Sequence, residues 1–198
     1  MIKEPTQKGY KIWLDEDEYE TFIHHAKCHD ERAGIASRIM ARASRRVGIT
    51  ADLERGDVFL PARDSIEIAF VTLSETKDTT EGENVDGGDW RLSWVPISLY
   101  HDIQEYCDKR GIGEDDQLFP ELKTRQLREI IKEAGSYATR QTGKEGFQHI
   151  TPHDMRRFFA TNMLRNEGVD IDIVMAMGGW ENRKSMMPYL RTPLEEDI

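Results

Sequence analysis

At 198 residues the chain fits one domain, or a large and a small one, and 38% hydrophobic content supplies a core beneath a highly charged surface. No apolar run approaches the roughly 18 residues of a membrane span, and Met1-Ile2-Lys3-Glu4-Pro5 lacks the apolar segment of a secretory signal, so a cytoplasmic protein is expected. Cys28 and Cys107 are too few for a disulfide framework, and with a net charge of −10 nucleic-acid binding depends on where the basic residues cluster.

After a polar start to which no element is assigned, Asp15 is placed to cap a helix with Glu16, Asp17 and Glu18 in its first turn. Tyr19, Phe22, Ile23 and Ala26 give that helix one apolar face, ending near Cys28. His24, His25, Cys28 and His29 include pairs at metal-ligand spacing, but no further ligand completes a site, and they read as exposed helix residues. A second helix spans Ala33 to Ser44, with Ile35, Ile39 and Met40 periodic, and Ala51-Asp52-Leu53 continues as a short one. Arg45 and Arg46 at the junction suit either a solvated surface or a phosphate, which a planar guanidinium grips with paired donors.

From Asp57 the period shortens. Val58-Phe59-Leu60, Ser65 to Leu73 and Trp90 to Val95 predict three strands, the last two joined by a long polar loop, Ser74 to Asp89, that carries Lys77. By itself Lys77 reads as a solubilising charge. A helix capped by Ser98 runs through Lys109 and stops at Gly111 and Gly113. Leu118-Phe119-Pro120 is a buried anchor, Thr124 to Ala134 another helix, and Ser136 to Phe147 a polar, glycine-containing stretch that is loop at least after Gln141.

The stretch from Thr151 to Arg191 is the most informative. Thr151 and Pro152 suit the cap and first position of a helix, which places His153 in the first turn, where unpaired amides favour an anion, and Arg156 on the same face. Met155, Phe158, Phe159 and Met163 supply the buried side, and Gly168 ends the helix. Asp170 opens a short helix stopped by Gly178-Gly179, Trp180 follows at a sharp turn, and Pro188 precedes Tyr189. Taken singly, Trp180 is a packing anchor and Tyr189 a half-buried aromatic. Together with His153 and Arg156 they suggest a phosphate-handling site that contains a tyrosine.

This series resembles the catalytic domain of the tyrosine recombinases, the phage integrase family, over about Tyr19 to Arg191. Arg46, Leu53 and Asp57-Val58 match the spacing of the family's first arginine motif, and Lys77 matches its hairpin lysine. Trp90 to Pro96 resembles the strand ending in arginine, hydrophobic and proline. His153-Asp154-Met155-Arg156 matches the His-x-x-Arg box, Met177-Gly178-Gly179-Trp180 the later glycine motif in its tryptophan form, and Tyr189 the nucleophile spacing. Two positions depart: Ile49 stands where the family often has an acidic residue, and Arg157 where it often has His or Thr.

The resemblance implies a mainly helical α+β fold with a small three-stranded antiparallel sheet. It implies a single catalytic domain over residues 1–198 without the helical N-terminal core-binding domain, and residues 193–198 read as an acidic tail. It makes the chain a site-specific recombinase that needs no metal or other cofactor, acts on double-stranded DNA, and works as a homo-tetramer on paired sites. Tyr189 would attack a phosphodiester to form a 3′-phosphotyrosyl link. Arg46 and Arg156 would bind the phosphate, Lys77 serve as general acid, and His153 exchange protons, with Trp180 donating its indole N–H. Two alternatives stay open, a non-catalytic DNA-binding relative and a type IB topoisomerase-like activity. DNA binding further predicts a basic face around Arg45, Arg46, Arg156 and Arg157.

Overall fold

The computed structural model describes residues 1–7, 9–61, 68–74 and 90–191. The chain opens with an antiparallel hairpin, β1 (Ile2–Thr6) and β2 (Gly9–Trp13), in which Ile2 pairs with Trp13 and Thr6 with Gly9. No hairpin is expected from the sequence, and the reason is physical. Only Ile12 and Trp13, at the end of β2, are buried, so the hairpin has no alternating apolar face to betray it.

Helix α1 (Glu16–His29) begins as expected, with a reciprocal capping box: Asp15 Oδ1 accepts the Glu18 N–H at 2.7 Å, and the Glu18 carboxylate accepts the Asp15 N–H at 3.2 Å. Asp30 then ends α1 and caps α2 (Glu31–Ala43), which packs back against it. The approach is close enough that a Cβ on Gly34 would collide with Lys27 Cγ and lie 3.0 Å from the Lys27 backbone, so a side chain there would push the two helices apart. Ser44 ends α2 in the left-handed region at φ 55°, and the next short helix, α3, covers Val47–Ala51 rather than Ala51 to Leu53.

The three predicted strands are β3 (Val58–Phe59), β4 (Ile68–Ser74) and β5 (Trp90–Pro96), antiparallel in that order, with Val71 paired to both Val58 and Ser93. Lys77, the predicted loop after β4 and the acidic tail lie outside the described residues. Helix α4 (Ile97–Arg110) follows directly on Pro96, and Gly111 ends it at φ 68°.

Helix α5 is longer than expected, running from Thr124 to Thr142. Its buried face is Leu127, Ile131, Ala134, Gly135 and Ala138, so the second half buries small residues and lacks the large apolar ones that mark the first. They are small because a turn of 3₁₀ helix, Glu145–His149, lies against them; a Cβ on Gly135 would collide with the Phe147 carbonyl. Helix α6 (Pro152–Thr161) runs into a π-helical turn, Asn162–Asn166, and is followed by α7 (Ile171–Gly178) and α8 (Met187–Arg191).

Two apolar clusters hold this arrangement. The larger joins α1, α2, α4, α5 and the three-stranded sheet. The smaller gathers Trp13, Phe159, Met163, Val174, Met177 and Met186 around Tyr189. The fold is thus the mainly helical one expected, with a second, two-stranded sheet added at its start.

Candidate DNA-processing site

Helix α6 supplies the centre of the site. The N–H and hydroxyl of Thr151 both donate to Asp154 Oδ2, at 2.8 and 2.6 Å, which fixes the first turn and with it His153. The other oxygen of Asp154 accepts the Ile12 N–H at 2.9 Å and an ion-paired hydrogen bond from Arg157. Arg157 also donates to the Ile12 carbonyl and lies over the Trp13 ring, 5.1 Å from its centroid. Arg157 is therefore turned into the hairpin, and it leaves the basic face predicted for it. Its position next to Arg156 in sequence is misleading, because consecutive helical residues point about 100° apart.

Arg156 is 6% exposed, and its two terminal nitrogens reach in different directions. Nη1 donates to the Ser44 carbonyl and Nη2 to the Gly178 carbonyl, each at 2.6 Å. The guanidinium also lies over Trp180, 4.2 Å from the ring centroid. One side chain thereby ties together the turn that carries Arg46, the helix that carries His153, and the turn that carries Trp180. That last turn depends on glycine twice. Gly179 takes φ 69°, and a Cβ on Gly178 would collide with the Trp180 indole folded back over it.

The neighbouring arginines divide their work. Arg45 is 3% exposed and donates to the Thr72 carbonyl, fixing strand β4 to the end of α2. Arg46 is exposed, at the cap position of α3. With Arg45, His153 and Arg156 it lines a cavity of about 610 Å³. The family resemblance points to Arg46 rather than Arg45, and of the two Arg46 is the exposed one.

Other basic residues join this cavity without having been singled out in the sequence. Arg128 and Lys132, one turn apart on α5, and His149 in the 3₁₀ turn line it as well, together with Tyr10 of the hairpin. Their one sequence signal is the i,i+4 spacing of Arg128 and Lys132 on the side of α5 away from Leu127 and Ile131. No carboxylate is among the described lining residues. A cavity lined by Arg45, Arg46, Arg128, Lys132 and Arg156, in a chain of net charge −10, is a strong local field for an anion.

Trp180 and Tyr189 do not line this cavity; they stand behind Arg156. Tyr189 is 8% exposed and meets Trp180 and Trp13 edge-on, with ring centroids at 5.8 and 6.2 Å. The structure thus brings Arg46, His153 and Arg156 to one cavity and places Trp180 and Tyr189 in series behind it. The histidine and cysteine cluster of α1 lies elsewhere: His25 and His29 pack against Tyr137, and no metal-holding group is found among the described residues.

The surrounding protein desolvates His153 and holds its pKa below the usual 6.5, and the charges of Arg157 and then Arg156 add to the shift. The imidazole is consequently neutral at pH 7 and ready to accept a proton. Monitored by NMR in the DNA-free protein, its ring resonances are expected to titrate with a midpoint below 6.5. A midpoint at or above 6.5 would contradict the environment described here.

A mainly helical domain with this sheet, a His-x-x-Arg pair at a cationic cavity and a tyrosine behind it defines a tyrosine-recombinase catalytic fold. The sequence model of the phage integrase family matches residues 12–195, and the chain belongs to that family. It is 28% identical to tyrosine recombinase XerA of Thermococcus kodakarensis over 105 residues, 53% of this chain and 36% of that one. The crystal structure of XerA recombinase superposes with a TM-score of 0.69 at 24% identity, covering 92% of this chain and 61% of that one. The Tn1549 transposon integrase in complex with transposon right-end DNA gives 0.69 at 15% identity, covering 98% and 64%. The match to the curated relative thus spans little more than a third of its length. Among the described residues, no helix is long and apolar enough to cross a membrane.

Proposed function

We propose that the chain is a DNA strand-breaking and rejoining domain that recombines double-stranded DNA through a covalent tyrosine intermediate. The observation that carries this reading is the cationic cavity, which gathers Arg46, His153 and Arg156 without a described carboxylate on an otherwise acidic chain. A DNA phosphate seated there is held by the guanidinium groups of Arg46 and Arg156. Tyr189 turns from its apolar cluster towards the phosphate and attacks phosphorus, and its proton passes to neutral His153. The bond to the 5′ oxygen breaks, leaving a 3′-phosphotyrosyl link, and the departing oxygen takes a proton from Lys77. Rejoining reverses these transfers, with a 5′-hydroxyl as nucleophile. The esterified phosphate conserves the energy of the broken bond, so the cycle needs no cofactor.

The packing of Tyr189 on its own chain's Trp180 supports attack by each protomer's own tyrosine. Exchange between two duplexes then calls for paired sites, and a homo-tetramer is the assembly proposed. Incubation with nicked substrates should yield a covalent protein–DNA adduct resistant to denaturation, and Tyr189→Phe should abolish it while binding persists. Binding without an adduct would leave a non-catalytic DNA-binding relative. An adduct on any sequence, with relaxation of supercoiled plasmid, would indicate type IB topoisomerase-like activity instead.

A further inference from the structure

Part of the cavity wall is aromatic. Gly9 and Tyr10, at the turn end of the β1–β2 hairpin, line it beside His149. Tyr10 is 41% exposed, and the core does not call for it, since the burial of its strand falls on Ile12 and Trp13. Its ring lies against the His149 imidazole, with centroids 4.6 Å apart and planes tilted by 48°. The Lys3 ammonium sits over the same ring at 4.0 Å. The ring is also held firmly in place. Gly9 takes φ 137° at the turn, Pro5 pairs with Tyr10 across it, and the far end of β2 is bonded through Ile12 to Asp154 and Arg157.

A positive groove with an exposed aromatic ring fixed at its wall suits a nucleotide whose base has left the double helix, because every base offers a π-face and every phosphate a charge. We propose that Tyr10, backed by His149, is a stacking platform for a DNA base outside the duplex. Lys3, exposed and on a flexible stem, moves off the ring to pair with the adjoining phosphate. The occupant is the first nucleotide of the strand that ends in the 5′-hydroxyl, which must leave its helix to reach another strand. The platform therefore rests on the strand-breaking reading, and no bond forms or breaks at Tyr10.

The test compares two fluorescein-labelled DNAs by anisotropy: an intact duplex, and the same duplex nicked with an unpaired 5′ flap. Wild type is expected to bind the flapped DNA about tenfold more tightly, the gain of a single stacked base. Tyr10→Ala should erase that preference while leaving the salt dependence unchanged, because no charge is lost. Tyr10→Phe keeps the π-face and should retain the preference, whereas Lys3→Ala should reduce the salt dependence by about one counterion. A wild type that binds both DNAs equally, or a Tyr10→Ala variant that still prefers the flap, overturns the platform alone. Failure to bind either DNA overturns the strand-breaking reading and the platform with it.

Discussion

Arg156→Lys is expected to slow adduct formation on a nicked substrate by about 100- to 1,000-fold, the usual loss when one donor to a developing oxyanion is removed. The substitution keeps the charge, so the prediction rests on geometry. In the native chain the two terminal nitrogens of Arg156 are spread between the Ser44 and Gly178 carbonyls, and its plane lies on Trp180. A lysine ammonium is a compact point charge that cannot span both carbonyls and lie flat on the indole while facing a phosphate. One buried carbonyl loses its partner, at a cost of about 1–3 kcal/mol. The variant should therefore melt earlier as well as cleave slowly, and single-turnover rates must be taken where it is still folded. An Arg156→Lys protein that melts like wild type and cleaves within about threefold of it would show that the fork is dispensable.

Asp154→Ala should be the most destabilising of the substitutions considered, by about 3–5 kcal/mol, because it leaves a buried guanidinium without its counter-charge. Asp154 is 1% exposed and accepts from Thr151, Ile12 and Arg157, so its loss uncaps α6 and unfastens the hairpin together. Against a typical total of about 5–15 kcal/mol, that is a large share. Urea denaturation gives the number, and Trp13, on the hairpin side of the pair, offers an intrinsic fluorescence report of detachment. The double variant Asp154→Ala/Arg157→Leu should recover part of the loss, since replacing both charges removes the uncompensated one. Equal losses in the single and double variants would mean that the caps, and not the ion pair, carry the cost.

Much of the site was legible because its residues sit at spacings with a direct physical meaning. Thr151 and Pro152 announce a helix start, and His153 and Arg156 follow from it at one turn's separation. The glycine pair before Trp180 marks a reversal, and the structure shows why both glycines are needed. What was illegible depends on distant partners. The β1–β2 hairpin is visible only through its anchoring to α6, and the second half of α5 is helical against the Phe147 turn, for which it carries Gly135 and Ala138 instead of large apolar residues. Arg157 reads as one more basic residue near the site until Asp154 and Ile12 are seen to hold it. Arg128 and Lys132 carry only their i,i+4 spacing as a local signal, because their place at the cavity is set by the fold that brings α5 beside α6 and the hairpin.

The bond from Ile12 to Asp154 joins residues 142 positions apart. On the ribosome, at about 5–20 residues per second, β2 emerges roughly 7–28 s before the aspartate that fastens it. During that interval α1 and α2 can already pair, since their contacts are local, while the strand beside them has only its hairpin partner. The Tyr10 wall and the Trp13 contact to Tyr189 are consequently among the last features to form. The strand made first is thus packed last, once α6 has fastened it and α8 has brought Tyr189 against Trp13.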